Sequence, residues 1–370
     1  MKIGILTSSR ADFGIYLPLL KKLKDDVFFN LEIIAFGTHL SKSHGYTLTE
    51  IENKGFNCIH TISSLIANDD EQAIATSYAL TALKFADFWQ HNKFDLVFCL
   101  GDRFEMSAAV QSGIPFNVKF AHLHGGETTL GAIDNIYRHQ ITLASNLHFT
   151  AGDLFSDRVI ELIGHNKNVY TVGSLSLNEI ENFQPINKTE FYKKFNIPNE
   201  DFALVTFHPE TVNTEMNQIF ASEMRKALSQ VATKLFLVIT MPNADTMGSV
   251  FRMEIEQLKN EFSTQVICIE NFGKENYFSA MYYAKVLIGN TSSGIIEAAS
   301  FGKYVVNVGD RQKGRMQSNN VINAPFGKQE IIEAVDKTLV NLNYTGINNY
   351  YNQNSADLII RHIKQFHEVI

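Results

Sequence analysis

Leu96-Val97-Phe98-Cys99-Leu100 is five apolar residues in a row, closed at once by Gly101-Asp102-Arg103. A strand covered by helices on both faces reads as an unbroken apolar run, whereas a strand with one wet face alternates. The run therefore points to the middle of a parallel sheet, and the polar residues that close it mark the sheet's carboxyl edge. Working outward, similar short runs occur at Lys2–Thr7, Leu31–Phe36, Lys119–Leu123, Leu147–Thr150 and Val169–Val172. Stretches of helical period separate them, at Phe13–Lys24, Glu71–Asn92, Phe104–Ser112, Asp134–Ser145 and Leu154–Leu162. Alternation of this kind is the signature of a helix-wrapped parallel sheet.

A second series follows, with strands expected at Ala203–Phe207, Leu235–Thr240, Val266–Ile269, Val286–Ile288 and Tyr304–Val308. Its helices are expected at Glu215–Ala232, Gly248–Phe262, Tyr277–Ala284, Gly294–Ser300 and Lys328–Asn341. The polar stretch Ser174–Asn199, holding Pro185 and Pro198, reads as the connection between the two series. A last helix, Ala356–Glu368, follows an Asn- and Tyr-rich break. The expectation is an α/β protein of two open, helix-wrapped sheets in tandem with an interdomain cleft. Residues 1–175 would form the first domain and 176–355 the second, with 356–370 a helix able to pack back on the first. A length of 370 residues suits two domains.

With 45% hydrophobic and 19% charged residues, the chain can bury large cores and is not a disordered or fibrous sequence. Its formal charge of −7 argues against a nucleic-acid partner, so any anion affinity must be local. Cys58, Cys99 and Cys268 are spread far apart and are expected to form neither a CxxC pair nor a metal-ligand cluster, and they suit a reducing, cytoplasmic setting. The N-terminus reads as a strand rather than a leader, and no apolar run reaches the roughly 18 residues a membrane span needs.

Ligands of open α/β sheets bind beyond the carboxyl ends of the strands. The first strand is followed by Ser8-Ser9-Arg10, which suits an anion at a helix start, although Arg10 would serve equally as a surface ion-pair residue. Neither GxGxxG nor a P-loop motif occurs there. Asp102 is either an N-cap for the next helix or a site carboxylate. The densest polar cluster is His122-Leu123-His124-Gly125-Gly126-Glu127, followed by Asp134, Arg138 and His139. Asp134 and Arg138 are spaced to share a helix face, as a surface pair or as part of a site.

In the second series, His208-Pro209-Glu210 follows its first strand. Gly289-Asn290-Thr291-Ser292-Ser293-Gly294 is a second anion cradle, with Glu297 expected one turn into the helix and able to accept both hydroxyls of a ribose. Gly309–Arg315 adds a cationic loop. The combination describes a nucleotide-linked substrate with acids and histidines beside it.

Taken in order, these stretches resemble the hydrolysing UDP-N-acetylglucosamine 2-epimerases that begin sialic acid biosynthesis. The resemblance implies the glycosyltransferase type B (GT-B) architecture of two Rossmann-like domains and a substrate of UDP-GlcNAc. UDP is eliminated to leave 2-acetamidoglucal, which adds water to give ManNAc. It implies Asp102, Glu127 and Asp134 as acid/base carboxylates, with His208 near the departing diphosphate. Arg10 and Arg138 would hold phosphate, Ser292, Ser293 and Gly294 would cradle it, and Glu297 would read the ribose. It also implies no metal, no cofactor and a homodimer or homotetramer. Close cousins act on nucleotide-linked N,N′-diacetylbacillosamine, and the loop Thr128–Ile133 is a place where such sugars would be told apart. A glycosyltransferase of the same architecture, or a non-catalytic UDP-sugar sensor, are the other readings, though a sensor has no use for three sugar-side acids.

Overall fold

In the computed structural model, residues 1–42, 46–66, 68, 70–130, 132–212, 214–242, 248–340 and 343–369 are described. Gly131, inside the loop singled out above, and Asn341, the expected end of one helix, lie outside them.

Thirteen strands are seen in these residues. They are β1 (Lys2–Thr7), β2 (Asn30–Phe36), β3 (Ile59–Ile62), β4 (Leu96–Leu100), β5 (Phe120–Leu123), β6 (Leu147–Thr150) and β7 (Val169–Thr171), then β8 (Phe202–Thr206), β9 (Phe236–Thr240), β10 (Val266–Ile269), β11 (Val286–Gly289), β12 (Val305–Val308) and β13 (Val321–Ala324). The first seven form one parallel sheet in the order β3-β2-β1-β4-β5-β6-β7, and the rest form another in the order β10-β9-β8-β11-β12-β13. Each order reverses once, between β1 and β4 and between β8 and β11, which is the doubly wound arrangement of a Rossmann-like domain. The chain therefore has two such domains, as expected.

The compact units are residues 1–127, 134–179 and 350–370 in the first, and 128–133 with 180–349 in the second. Apolar residues fill both faces of each sheet. In the first unit, Ile3, Ile5, Phe98 and Phe149 face one layer of helices, while Leu6, Val97, Phe120 and Trp89 pack on the other side. The last helix, Ser355–Val369, puts Ala356, Ile359 and Ile363 into the first of these cores, and Lys22 bonds Asp357 at 3.0 Å beside it.

The stretch expected to be a bare connection is not one throughout. Lys188–Phe195 is a helix, capped by the Asn187 side chain accepting from the Thr189 amide at 3.0 Å. Its Phe191 is fully buried with Phe202, Phe236 and Phe272. Burial of such a side chain is worth about 1.5–3 kcal/mol, so the flanking prolines bracket an element instead of a linker.

Three imidazoles are sealed inside the first unit and kept neutral by burial: His122 is pushed down to about 3, and His39 and His148 to about 4. The unfolded chain protonates them near 6.5 and so binds more protons between about pH 6.5 and pH 4. Stability consequently rises with pH across that window and falls as acid is added, by up to about 1.4 kcal/mol per pH unit for each histidine. Calorimetry should show a melting temperature that drops continuously from pH 7 to pH 4.5. A melting temperature independent of pH between 7 and 5 would contradict this burial.

Candidate active site

The turn after β1 is built on a capping box. Ser9 caps the helix Arg10–Asp25, and Asp12 accepts from the Ser8 amide at 2.9 Å, the Ser8 hydroxyl at 2.7 Å and the Ser9 amide at 3.1 Å. Arg10 is the first residue of that helix, about a third exposed, with its guanidinium 3.8 Å from Glu50. Behind the turn lies a histidine the sequence reading passed over. His39 sits just after β2, fully buried, between Thr7 Oγ1 at 2.9 Å and Thr47 Oγ1 at 2.8 Å. The strand-end rule applied to β2 points straight at Gly37-Thr38-His39.

Asp102 follows β4, and it is not the N-cap of the next helix. That place belongs to Arg103, with no side-chain cap. The Asp102 carboxylate instead accepts from Arg138 Nη2. Arg138 reaches it from the helix Asp134–Ala144 and is 1% exposed, so it is no surface partner of Asp134. Its Nε and Nη1 are buried and have no hydrogen-bond partner among the described residues. A buried guanidinium with only part of its donors satisfied is costly, and an anionic ligand would complete it. Asp134 opens the same helix and is partly exposed.

The two histidines at the end of β5, His122 within the strand and His124 just after it, have different surroundings. His122 is locked on both sides, with Nδ1 3.0 Å from Thr142 Oγ1 and Nε2 2.9 Å from the Gly101 carbonyl, so it braces the β4 end. His124 adopts a left-handed φ of 63° and places Nδ1 2.7 Å from Glu127 Oε1. Glu127 is 1% exposed. The tight return needs Gly126, whose φ is 77° and where a Cβ would stand 2.2 Å from the Phe155 carbonyl oxygen.

In the second unit, His208 follows β8 and is buried. Asn290, after β11, holds its main chain: the His208 amide donates to Asn290 Oδ1 at 2.7 Å, and Asn290 Nδ2 donates to the His208 carbonyl at 2.8 Å. Gln312 Nε2 donates to the Asn290 carbonyl at 2.8 Å, so the loops after β8, β11 and β12 are tied together across the switch point. Glu210 is also buried, which pushes its carboxyl above the usual range, and it accepts from the Asp310 amide at 2.7 Å.

Ser292, Ser293 and Gly294 lie in a helix of only five residues, Ser292–Ile296, begun by the Thr291 hydroxyl accepting from the Ser293 amide at 3.4 Å. Glu297, expected inside a longer helix, stands where this helix ends and a 3-10 turn, Ala298–Phe301, begins. Tyr277, which the sequence did not single out, joins this group. Burial raises its phenol, and hydrogen bonds to Ser293 and Thr206 act against that rise. A small cavity lined by Thr206, Tyr277, Gly289, Thr291 and Gly294 opens there.

The loop between Glu127 and Asp134 belongs to this second unit. The Leu130 amide donates to the Lys313 carbonyl at 2.9 Å, and the Ile133 amide donates to Thr211 Oγ1 at 3.1 Å. Thr128 packs against Gly314. The Arg311 guanidinium of the cationic loop donates to the Pro209 carbonyl at 2.9 Å.

At the amino edge of the first sheet, remote from all these strand ends, ligand atoms of Glu32, Cys58 and His60 lie within 4.8 Å of one another. The Lys2 ammonium is 3.0 Å from the same Glu32 carboxylate, and His60 is 2.9 Å from it, so this acid already has an ammonium and an imidazole beside it.

A family model described as UDP-N-acetylglucosamine 2-epimerase matches residues 21–364. The chain belongs to that family. Among curated relatives, it is 35% identical over 326 residues to the GDP/UDP-N,N′-diacetylbacillosamine 2-epimerase (hydrolyzing) of Campylobacter jejuni, covering 87% of this chain and 84% of that one. It is 31% identical over 369 residues to the polysialic acid biosynthesis protein P7 of Escherichia coli, covering 99% and 94%. Its fold matches the crystal structure of UDP-GlcNAc 2-epimerase from Neisseria meningitidis bound to UDP-GlcNAc, with a TM-score of 0.81 at 15% identity, over 99% of this chain and all of that one. The GT-B-like, two-Rossmann architecture of these epimerases is thus the architecture of this chain. No helix among the described residues is long and apolar enough to cross a membrane.

Proposed function

We propose that this family member is a hydrolysing 2-epimerase that converts UDP-GlcNAc and water to ManNAc and UDP. The observation that carries the reading is the pair of acids at neighbouring strand ends. Asp102 after β4 is held by a buried arginine with unsatisfied donors, and Glu127 after β5 is held by a buried histidine.

The C2 hydrogen of the sugar is not acidic. It leaves only as the anomeric C–O bond breaks and charge develops, so a base must act together with departure of the diphosphate. Asp102, Glu127 and Asp134 supply the carboxyls for removing that proton and for returning one when water adds. Two carboxyls in unlike surroundings suit opposite roles. Arg138 offers Nε and Nη1 to phosphate oxygens, and Arg10 offers its partly exposed guanidinium. In the second unit, Ser292, Ser293 and Gly294 would take the diphosphate and Glu297 the ribose, while His208 would serve the leaving group. The three unpaired cysteines support a cytoplasmic setting.

Incubation with UDP-GlcNAc in D2O should release UDP together with ManNAc carrying deuterium at C2, read by mass spectrometry and proton NMR. Unlabelled ManNAc, or GlcNAc as the only sugar, would refute elimination. The second reading is the N,N′-diacetylbacillosamine substrate, favoured by the name of the Campylobacter relative. The same assay with that sugar nucleotide separates the two by relative kcat/KM. Release of UDP only when an acceptor sugar is added would instead mark a glycosyltransferase.

A further inference from the structure

We infer that His124 is the positioning residue of Glu127, fixing the carboxylate through an Nδ1–H donor; the inference rests on the epimerase reading for what Glu127 does. Three observations carry it. The first is the contact itself, 2.7 Å between His124 Nδ1 and Glu127 Oε1, inside a region where His124 is 8% and Glu127 1% exposed. A carboxylate buried this far needs a donor, and His124 supplies one.

The second is backbone. His124 sits at φ 63°, a region non-glycine residues visit rarely. The turn through Gly125 and Gly126 then brings Glu127 back onto the imidazole three residues later. Strained backbone of this sort persists where the surroundings hold it, and it gathers at functional sites. The third is the contrast with His122, two residues earlier. His122 has both ring nitrogens satisfied, by Thr142 and by the Gly101 carbonyl, and so works as a brace. His124 Nε2 is buried with no hydrogen-bond partner among the described residues. Buried His148 also leaves Nδ1 without a partner among the described residues, so what sets His124 apart is the acid that its Nδ1 meets. This one is committed through Nδ1 to a single acid.

With Nδ1–H given to Glu127, the tautomer is set and the carboxylate cannot rotate freely. Removing the side chain should therefore cost turnover and spare binding. His124→Gly deletes the imidazole while accepting the positive φ. His124→Asn tolerates the same φ and can present an amide N–H near the Nδ1 position. Expected results are a kcat for the Gly variant lowered by about 10- to 100-fold with little change in KM, and substantial recovery in the Asn variant; losses of that size follow when partners that orient a reacting group are removed. Nitrogen-15 NMR of the unmodified enzyme, with the His124 signals assigned by their loss in the Asn variant, should show the proton on Nδ1.

A Gly variant with unreduced kcat, an Asn variant no better than Gly, or a proton found on Nε2 with Nδ1 bare would each overturn the inference. Failure of the epimerase reading looks different. The unmodified enzyme would then release no UDP from either sugar nucleotide, while the tautomer in the NMR spectrum still decides whether His124 donates to Glu127.

Discussion

Glu127→Gln lowers turnover of the sugar nucleotide by about 10²- to 10⁴-fold, the contribution expected of a positioned proton-transfer group, while fold and UDP binding persist. The substitution is nearly isosteric in a site with no spare room, since Glu127 is 1% exposed. The side-chain oxygen of Gln still accepts from His124 Nδ1, so the 2.7 Å contact survives. What disappears is the capacity to take a proton from carbon or to give one back. Asp102→Asn is a poorer probe of the chemistry, because it also strips the charge partner from buried Arg138. Removing one partner of a buried pair exposes the cost of the other, and the protein destabilises for reasons unrelated to catalysis. For Glu127→Gln the informative comparison is kcat against UDP affinity by calorimetry, with circular dichroism as the control for folding. Turnover within tenfold of the unmodified enzyme would remove Glu127 from the proton-transfer step.

Why are the strand ends that carry Asp102, Glu127 and His208 legible in the sequence while β3 and β13 are not? Strand ends in a parallel sheet are legible because a strand buried on both faces is mostly apolar along its length. The first polar residues after the run therefore mark the carboxyl edge. Val97 through Leu100 and Ala203 through Val205 behave in this way, and Asp102 and His208 follow directly. The same logic fails at two of the edge strands, β3 and β13. In β3 the sequence Ile59-His60-Thr61-Ile62 is short and only Ile62 is buried, and in β13 the run Val321-Ile322-Asn323-Ala324 is likewise half wet. An edge strand needs no continuous apolar run, so nothing distinguished these four-residue pieces from loop.

Helix ends were misjudged for a different reason. Pro185 and Pro198 truly bound a helix, yet they look identical to the punctuation of a linker. Only the Asn187 cap and the Phe191-Tyr192 pair betray Lys188–Phe195. The partners of site residues were the least legible of all. That Arg138 would turn from Asp134 to Asp102, 36 residues back, depends on β4 and β5 lying side by side. Spacing along one helix cannot report such a contact. Tyr277 escaped for the same reason, since its tie to Ser293 and Thr206 is made across the second sheet.

Gly289→Ala should unfold the second domain or abolish the UDP binding proposed for it, the largest stability effect expected of any single methyl group here. Gly289 ends β11 at a φ of 148°, paired in register with Thr206 of β8. A Cβ built there would lie 1.7 Å from the Thr206 carbonyl oxygen and 2.6 Å from its carbon. Both atoms are backbone of the neighbouring strand, so no side chain can swing aside. The methyl group is accommodated only if β8 and β11 part. Parting them breaks the bond from the Asn290 amide to the Thr206 carbonyl, 3.1 Å long, and with it the double clamp of Asn290 on His208. Substitutions that force packed backbone apart belong to the exceptional class above about 4 kcal/mol, against a domain stability of about 5–15 kcal/mol. Hydrogen exchange should accordingly show protection lost across β8, β11 and β12 while β1, β4 and β5 stay protected. Urea unfolding should show the second domain's transition moved to much lower denaturant or missing. If instead the variant binds UDP normally and unfolds within about 1 kcal/mol of the parent, the β8–β11 approach is looser than this geometry, and the anchoring of His208 by Asn290 must be argued anew.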